Sequence, residues 1–384
     1  MSGFKRAGAA IVGAATFGMG EAPGYEAIEL AARAARAALA DAGLTLKDVD
    51  AVFSMLPQDP FCATTMPEYL GIRPKMVEST RTGGSAFQIQ AMIAAALLEC
   101  GMIDCALICY GSNQRSAAGG LVRSGALPFP YEDIYRPIAP ASSYALAAAR
   151  HMHQFGTTRE QLAAVAVAAR EWAKLNPEAF SRGDLTVDEV LSARMISDPL
   201  TVRDCCLVTD GAAAVVMTRA DRARDLRQPP VYLLGGAMAT WHRYISQMPD
   251  LTVTALAEAA PRALAQAGVT LSEIDVVELY DAFTINVILF LEDLGFCPKG
   301  EGGRFVEQGR IAPGGSLPVN TNGGGLSCVH PGMYGLFTMV EAAQQLRGSA
   351  GARQAPDAKL AIAHGNGGVL ATQALLVLGS AETR

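Results

Sequence analysis

The chain has 384 residues, half of them hydrophobic and 18% charged, so it can bury a large core in one layered domain or in two domains. The formal net charge of −6 argues against binding to the phosphate backbone of a nucleic acid, because proteins that do so need clustered Lys and Arg. Since no run of 18 or more apolar residues is present, we predict no membrane-spanning helix.

The first predicted element is a strand, "AAIVGAATF". Lys5 and Arg6 precede it, as basic residues do in a signal peptide, but its glycine and the free cysteines that follow favour a buried strand. The free cysteines also favour a reducing cytoplasm. None of the eight cysteines forms a CxxC pair, and none has histidines at zinc spacing, so we predict no metal site. Cys100, Cys105 and Cys109 lie in the apolar run "ECGMIDCALICYG" and are predicted to be small buried hydrophobic residues.

A repeated segment predicts the architecture. Residues 38–52, "ALADAGLTLKDVDAV", and residues 263–277, "ALAQAGVTLSEIDVV", are identical at 9 of 15 positions. Each copy ends an amphipathic helix, stops at a glycine and enters an apolar strand, and each helix is preceded by a strand. We therefore predict an α/β protein with two similar halves, residues 1–226 and 227–384, joined near "RQPP".

The first half continues with the helix "SAFQIQAMIAAALLECG" and the strand "CALICYG", which we expect at a sheet edge, where a long uncharged strand needs a pairing partner. Residues 112–199 form an insertion with the proline-rich stretch "LPFPYEDIYRPIAP" and two helices, "SSYALAAARHMHQFG" and "TREQLAAVAVAAREWAKLN". Residues 18–24, "GMGEAPG", lack the GxGxxG spacing and no P-loop is present, so no dinucleotide or nucleoside triphosphate site is predicted.

Residues 81–88, "RTGGSAFQ", predict a loop that presents Ser85 at the start of a helix. Two interpretations of this serine stay open. It is a covalent nucleophile, which requires a positioned base that the neighbouring sequence does not supply. Alternatively it is a small residue that lines a pocket, where the free amide groups of the helix start help to hold a carbonyl or enolate oxygen.

Three further loops carry residues suited to proton transfer. Tyr280 ends the strand "IDVVELY", with Asp281 directly after it, and Tyr334 follows His330 by four residues in the glycine-rich "GGGLSCVHPGMYG". His364 ends "KLAIAH" and precedes "GNGG". Residues at the ends of α/β strands and in glycine-rich turns are well placed for a ligand site. Phenol and imidazole groups supply general acids and bases there, with Asp281 bracing its loop.

The sequence resembles the thiolase superfamily, in particular its sterol-carrier-protein-type branch. The resemblance rests on "DGAAAVV" at residues 210–216 and on "ELYDAFTIN", "NTNGGGLSCVHPG" and "HGNGGVL" in family order. It implies a layered α-β-α-β-α fold, a homodimer and an acyl-CoA substrate. Ser85 stands where relatives have a cysteine nucleophile, His364 where they have a second cysteine, and Tyr280 where they have Asn or His.

These departures resemble the thiolase-like aldolases of bacterial steroid side-chain degradation. That resemblance implies retro-aldol cleavage of a β-hydroxyacyl-CoA, with one tyrosine as base, the other as acid and His330 at the thioester oxygen. It also implies coenzyme A as part of the substrate, no permanently bound cofactor, and a small OB-fold partner with a zinc ribbon in a heterotetramer. The residues expected to contact substrate without proton transfer are Ser85, Asp281, Gly324 and Gly367. An acyltransferase, or a non-catalytic acyl-CoA-binding or scaffold subunit, stays open.

Overall fold

A computed structural model describes residues 4–118 and 131–383. The strands are β1 (Ala9–Gly20), β2 (Ala51–Met55), β3 (Met76–Glu78), β4 (Cys105–Ser112), β5 (Met195–Ser197), β6 (Leu200–Thr201), β7 (Asp210–Arg219), β8 (Val231–Thr240), β9 (Val276–Glu278), β10 (Leu360–Gly367) and β11 (Thr372–Gly379). The helices are α1 (Ala27–Ala42), α2 (Cys62–Leu70), α3 (Ala86–Glu99), α4 (Gln114–Ala118), α5 (Ala141–Phe155), α6 (Arg159–Lys174), α7 (Val187–Leu191), α8 (Ala220–Ala223), α9 (Leu256–Ala267), α10 (Thr284–Leu294), α11 (Gly302–Val306) and α12 (Gly335–Leu346).

Nine strands form one continuous sheet in the order β3-β2-β4-β7-β1-β8-β11-β10-β9. Its two halves repeat the same order, because β2-β4-β7-β1 matches β9-β10-β11-β8. The pairs β2–β4 and β9–β10 are parallel, as is the additional edge pair β2–β3 of the first half, and the other neighbours within each half are antiparallel. The halves meet where β1 pairs with β8 over a short antiparallel contact. The duplication read from 15 residues therefore extends to the topology of both halves.

The helices complete the layers. The apolar helices α3 and α12 contact strands of both half-sheets, so they form the central layer. The amphipathic helices α1 and α9 cover the outer faces of the first and second half-sheets and turn their polar sides to solvent. The predicted α-β-α-β-α arrangement is confirmed. The division after residue 226 falls between α8 and β8 and stays a prediction.

The insertion brings its helices onto the second half. Its two predicted helices are α5 and α6, and both pack on α10, whose residues are all buried. Helix α6 also contacts the π-helical turn Gly324–Cys328, which precedes α12. Part of the proline-rich stretch lies outside the described residues. The insertion therefore covers the loops in which the candidate site residues lie.

Two predictions about the run from residue 100 to 112 are wrong. The strand β4 is not an edge strand, because it pairs with β2 on one side and β7 on the other, and β3 lies at that edge. Its apolar sequence reflects burial on both faces in the interior of the sheet. Cys105 and Cys109 are fully buried as predicted, but Cys100 is exposed because it follows the last residue of α3 at the surface.

Within the described ranges, no helix is long and apolar enough to cross a membrane. In the same ranges, no group of three His, Cys, Asp or Glu side chains is arranged to hold a metal ion.

Candidate active site

Three aromatic side chains from two separate loops converge beside the start of α12. The ring of Tyr280 lies edge-on to the rings of His330 and Tyr334, with centroid separations of 5.5 and 5.8 Å. The His330 and Tyr334 rings are nearly parallel, and their centroids lie 6.3 Å apart. These three of the four predicted proton-transfer residues therefore form one cluster, which we call the aromatic triad.

Tyr280 follows β9 and is buried against the glycine loop that precedes α3. A Cβ atom at Gly84 would overlap the Tyr280 ring, so only glycine permits this packing. The phenol hydroxyl lies 3.4 Å from the carbonyl oxygen of Gly332. Burial raises the pKa of Tyr280 well above its usual value, while a hydrogen bond from the backbone of Tyr334 acts in the opposite direction. The phenol oxygen therefore sits near the N-terminus of α12, where a negative charge is favoured.

Tyr334 immediately precedes α12 and is fully buried. Its hydroxyl donates a hydrogen bond of 2.8 Å to Asn322 Oδ1, and the same oxygen accepts the backbone N–H of Gly324 at 2.7 Å. Burial raises the pKa of Tyr334 well above its usual value, and the carboxyl groups of Asp281 and Glu278 raise it further. Tyr334 is therefore a protonated phenol at neutral pH.

His330 has a fixed backbone and an unsatisfied ring. Its N–H donates to Thr209 Oγ1 at 2.9 Å, and its carbonyl oxygen accepts the side-chain amide of Gln114 at 2.8 Å. The ring is buried, yet neither nitrogen has a hydrogen-bond partner among the described residues. Buried polar groups are nearly always paired, so this ring fits a role in binding a ligand. Burial lowers the pKa of His330 to about 4, which leaves a neutral imidazole with one donor and one acceptor.

Asp281 braces the π-helical turn rather than joining the triad. Its carboxylate accepts the backbone N–H of Gly325 at 2.6 Å and that of Leu326 at 3.3 Å. A Cβ atom at Gly324 would collide with the carboxylate, and Gly324 has a positive φ of 64°. Burial raises the pKa of Asp281 to about 7 against the lowering effect of these hydrogen bonds. Asp281 and Gly324 therefore shape the loop that carries His330.

A cavity of about 460 Å³ lies next to the triad, on the other side of Gly332. Gly332, whose carbonyl oxygen faces the Tyr280 hydroxyl, forms part of its wall. Gly83 and Gly367 line the same end of the cavity, and a Cβ atom on Gly83 would press against the backbone of residues 367 and 368. Glycine backbone therefore separates the cavity from Tyr280 with little bulk, so a substrate in the cavity can approach the phenol.

Comparison with known proteins identifies the family. Residues 237–380 match the family described as thiolase C-terminal domain-like. An acetyl-CoA acetyltransferase of Methanothermobacter thermautotrophicus is 34% identical over 95% of this chain and 98% of its own length. The chain belongs to the thiolase superfamily.

Two other members are also similar. The 17-hydroxy-3-oxo-4-pregnene-20-carboxyl-CoA lyase of Mycobacterium tuberculosis is 33% identical over 89% of this chain and 92% of its own length. The solved "Ltp2-ChsH2(DUF35) aldolase" aligns with a TM-score of 0.89 and 30% identity over 98% of this chain and 99% of that one. Within the superfamily, the predicted resemblance to the sterol-carrier-protein-type branch and to steroid side-chain-cleaving aldolases is confirmed.

Ser85 occupies the position where the superfamily resemblance places a nucleophile. It is fully buried, and its hydroxyl lies 3.2 Å from the carbonyl oxygen and 3.1 Å from the hydroxyl of Thr82. A Cβ atom at Gly367 would collide with both Thr82 and Ser85, which places the two predicted substrate-contacting loops in direct contact. No imidazole or carboxylate of the described residues is hydrogen-bonded to Ser85. Its geometry is that of a residue that closes the helix-start turn.

His364 lies behind Tyr280, outside the aromatic triad. Its Nδ1 accepts the backbone N–H of Tyr280 at 3.4 Å, and its Nε2 lies 2.8 Å from Gln373 Oε1. The ring edge packs on Phe290, with centroids 4.4 Å apart. Burial lowers the pKa of His364 to about 3, so the ring is neutral and both nitrogens are paired. His364 therefore fixes the backbone of Tyr280.

The polar residues that orient these side chains were not predicted from the sequence. Asn322 holds the Tyr334 hydroxyl, and Gln373 orients His364 and then donates to Asn366 Oδ1 at 2.7 Å. Asn322 was visible as an amide inside the glycine-rich "NTNGGG". No sequence feature marks Gln373 as a site residue, because it lies in an ordinary strand and the strand pairing determines which side chain it meets.

Proposed function

We propose that the protein is a carbon–carbon lyase that cleaves a β-hydroxyacyl-CoA by a retro-aldol reaction into a ketone or aldehyde and a shorter acyl-CoA. The similar lyase and aldolase named above support this reaction class. The observation that carries the proposal is the convergence of Tyr280, Tyr334 and the unpartnered His330, while Ser85 has no base. This set supplies an acid, a base and an oxyanion donor without a covalent intermediate.

Tyr280 is the base in this proposal. Its hydroxyl lies beside the Gly332 carbonyl, which is part of the cavity wall. Burial raises the pKa of Tyr280 well above its usual value, and the backbone hydrogen bond from Tyr334 at the start of α12 acts against that increase and favours the phenolate. Tyr280 removes the proton of the β-hydroxyl, the hydroxyl oxygen forms a carbonyl, and the Cα–Cβ bond breaks. The electron pair of the broken bond passes to the thioester fragment, which becomes an enolate.

Tyr334 and His330 act on that enolate. The neutral imidazole donates a hydrogen bond to the thioester oxygen, where negative charge develops in the transition state. The protonated phenol of Tyr334 then delivers its proton to Cα and completes the shorter acyl-CoA. Proton exchange with solvent restores both tyrosines. Coenzyme A enters as part of the substrate, and no permanently bound cofactor takes part.

We also propose the assembly in which this reaction takes place. The aligned Ltp2 aldolase was solved with a DUF35 protein, which supports a small OB-fold, zinc-ribbon-containing partner here. Two copies of the chain would pair through the exposed edge β3, and two partners would complete a heterotetramer. The free cysteines fit a reducing cytoplasm.

The decisive experiment incubates the chain and its partner with a β-hydroxyacyl-CoA in the absence of free CoA. Release of a ketone or aldehyde together with a shorter acyl-CoA is the expected result. Cleavage that strictly requires added CoA would reject the lyase and favour thiolysis. The same mixture with Tyr280→Phe and Tyr334→Phe tests the non-catalytic alternative, which expects unchanged turnover.

An acyltransferase is the second candidate, because the acetyl-CoA acetyltransferase named above is as similar as the lyase. It would pass through an acyl ester on Ser85. Intact-peptide mass spectrometry after acyl-CoA addition detects this ester as an added acyl mass on the peptide that contains Ser85. We expect no such mass.

A further inference from the structure

The cavity of about 460 Å³ is lined by two chemically different groups of residues. One is the glycine wall at Gly83, Gly332 and Gly367, next to Tyr280. The other, which we call the basic rim, consists of Arg81, His242 and Arg243. The rest of the lining is mixed: the apolar residues are Met55, Pro57, Met333 and Ala371, and the others are Thr82, Thr240, Gly368 and Thr372. A ligand that fills the cavity would therefore combine an apolar body with a polar group that meets the basic rim.

The charge of the basic rim is unusual for this chain. The protein carries a net charge of −6, yet none of the described residues that line the cavity is acidic. Arg81 has no carboxylate within salt-bridge distance among the described residues, and its guanidinium lies 3.4 Å from the main-chain oxygen of Asp59. His242 is buried; its Nε2 lies 3.0 Å from the carbonyl oxygen of Val369, and its Nδ1 has no partner within the described chain. Burial lowers the pKa of His242, and an Nε2–H that donates to Val369 leaves Nδ1 as an acceptor, so the positive charge that the rim offers to an anionic oxygen comes from its two arginines.

The proposed reaction defines which part of the substrate faces this rim. Tyr280 must contact the β-hydroxyl, and the Gly332 carbonyl beside its phenol is also a wall of the cavity. The substituents of the β carbon, which leave as the ketone or aldehyde, therefore extend into the cavity. The basic rim lines the same cavity. A guanidinium is well matched to a carboxylate, because its planar donors bind both oxygens.

We propose, resting on the proposed function, that the cavity selects β-hydroxyacyl-CoA substrates whose β substituent ends in a carboxylate. The fragment released by cleavage is then an oxo acid. The carboxylate pairs with Arg81 and Arg243 and takes no part in bond breaking. The thioester remains at His330 throughout.

The test measures binding of two unreactive substrate analogues that lack the β-hydroxyl. One ends in a carboxylate and the other in the isosteric primary amide, and calorimetry measures both dissociation constants for the chain with its partner. Wild type is expected to bind the carboxylate analogue about 10- to 100-fold more tightly. Arg81→Gln and Arg243→Gln should each remove most of that preference and leave the affinity for the amide within about threefold. Arg36→Gln, an exposed arginine on α1 away from the cavity, is the matched control.

Three outcomes separate the possibilities. Equal affinity of wild type for the two analogues would overturn the carboxylate proposal. Equal weakening of both analogues by the arginine variants would also overturn it and would assign the rim to the phosphates of CoA. Because these analogues do not react, a carboxylate preference that depends on the rim supports the inference even if the lyase assay shows no cleavage.

Discussion

The Tyr334→Phe substitution separates a catalytic role from a structural one, because its two effects differ in size. The substitution removes the hydroxyl that donates to Asn322 Oδ1 at 2.8 Å. Asn322 Oδ1 keeps the Gly324 N–H at 2.7 Å, so no buried acceptor is left without a donor. The free energy of unfolding should therefore fall by only about 1 kcal/mol. Loss of the proton donor should reduce kcat by roughly 10²- to 10⁴-fold, which is about 3–5 kcal/mol of activation free energy.

The assay follows acyl-CoA cleavage by chromatography under steady-state conditions, and urea unfolding gives the stability. The decrease should appear in kcat with KM nearly unchanged, because Tyr334 transfers its proton in a transition state that follows substrate binding. Tyr144→Phe is the matched control: this buried hydroxyl lies 3.2 Å from the Gly368 carbonyl oxygen and accepts from Asn366 at 3.0 Å. The control should lose similar stability and less than about tenfold in kcat. Equal losses of kcat in the two variants would refute the assignment of Tyr334 as the acid.

Three further substitutions test the other residues. His330→Phe should lower kcat/KM by roughly 10²- to 10³-fold through loss of the oxyanion donor, and an unchanged value would remove His330 from the site. Ser85→Ala should leave kcat within about threefold of wild type, because the Ser85 hydroxyl is hydrogen-bonded only to Thr82 among the described residues. A large decrease in kcat in a folded variant would indicate that Ser85 is a nucleophile. Burial raises the pKa of Asp281 in the folded protein to about 7, so folding favours its protonated form. This stabilisation is fully present below about pH 4 and is lost as the pH rises to 7. Relative to wild type, Asp281→Asn should therefore gain up to roughly 4 kcal/mol of unfolding free energy across that interval in urea titrations.

The duplication into two halves was predictable because each repeated segment contains the C-terminal end of a helix and the start of a strand. Those features are local, and the second half repeats them in the same order, so similar patterns produced the same strand order twice. The position of β4 within the sheet, by contrast, cannot be read from its own sequence. An uninterrupted apolar strand fits a sheet interior and an unpaired hydrophobic edge equally well, and only its pairing with β2 and β7 distinguishes them.

The sequence named loops that the structure brings together, but it did not predict the directions of their side chains. Successive residues of a strand point to opposite faces, so a difference of one position decides whether a side chain reaches the site. On β10, a Cβ atom at Gly365 would meet Gly84 and Gln88, on the side of the helix-start loop. The preceding His364 points away, toward Phe290 and Gln373. Resemblance located the loop, but the strand register determined that His364 supports Tyr280 from behind.

The arrangement explains how a thiolase-type scaffold can carry either of two reactions. Thiolysis and retro-aldol cleavage both generate a thioester enolate when the Cα–Cβ bond breaks, so both need a hydrogen-bond donor such as His330 at the thioester oxygen. They differ in what acts on the β carbon: a nucleophile at the start of α3, or a base that removes a proton from a β-hydroxyl. Ser85 is bonded to Thr82, whereas the Tyr280 hydroxyl lies beside the Gly332 carbonyl, which is part of the cavity wall. In the proposed lyase the chemistry at the β carbon is therefore assigned to the phenol, while the enolate donor is common to both reactions.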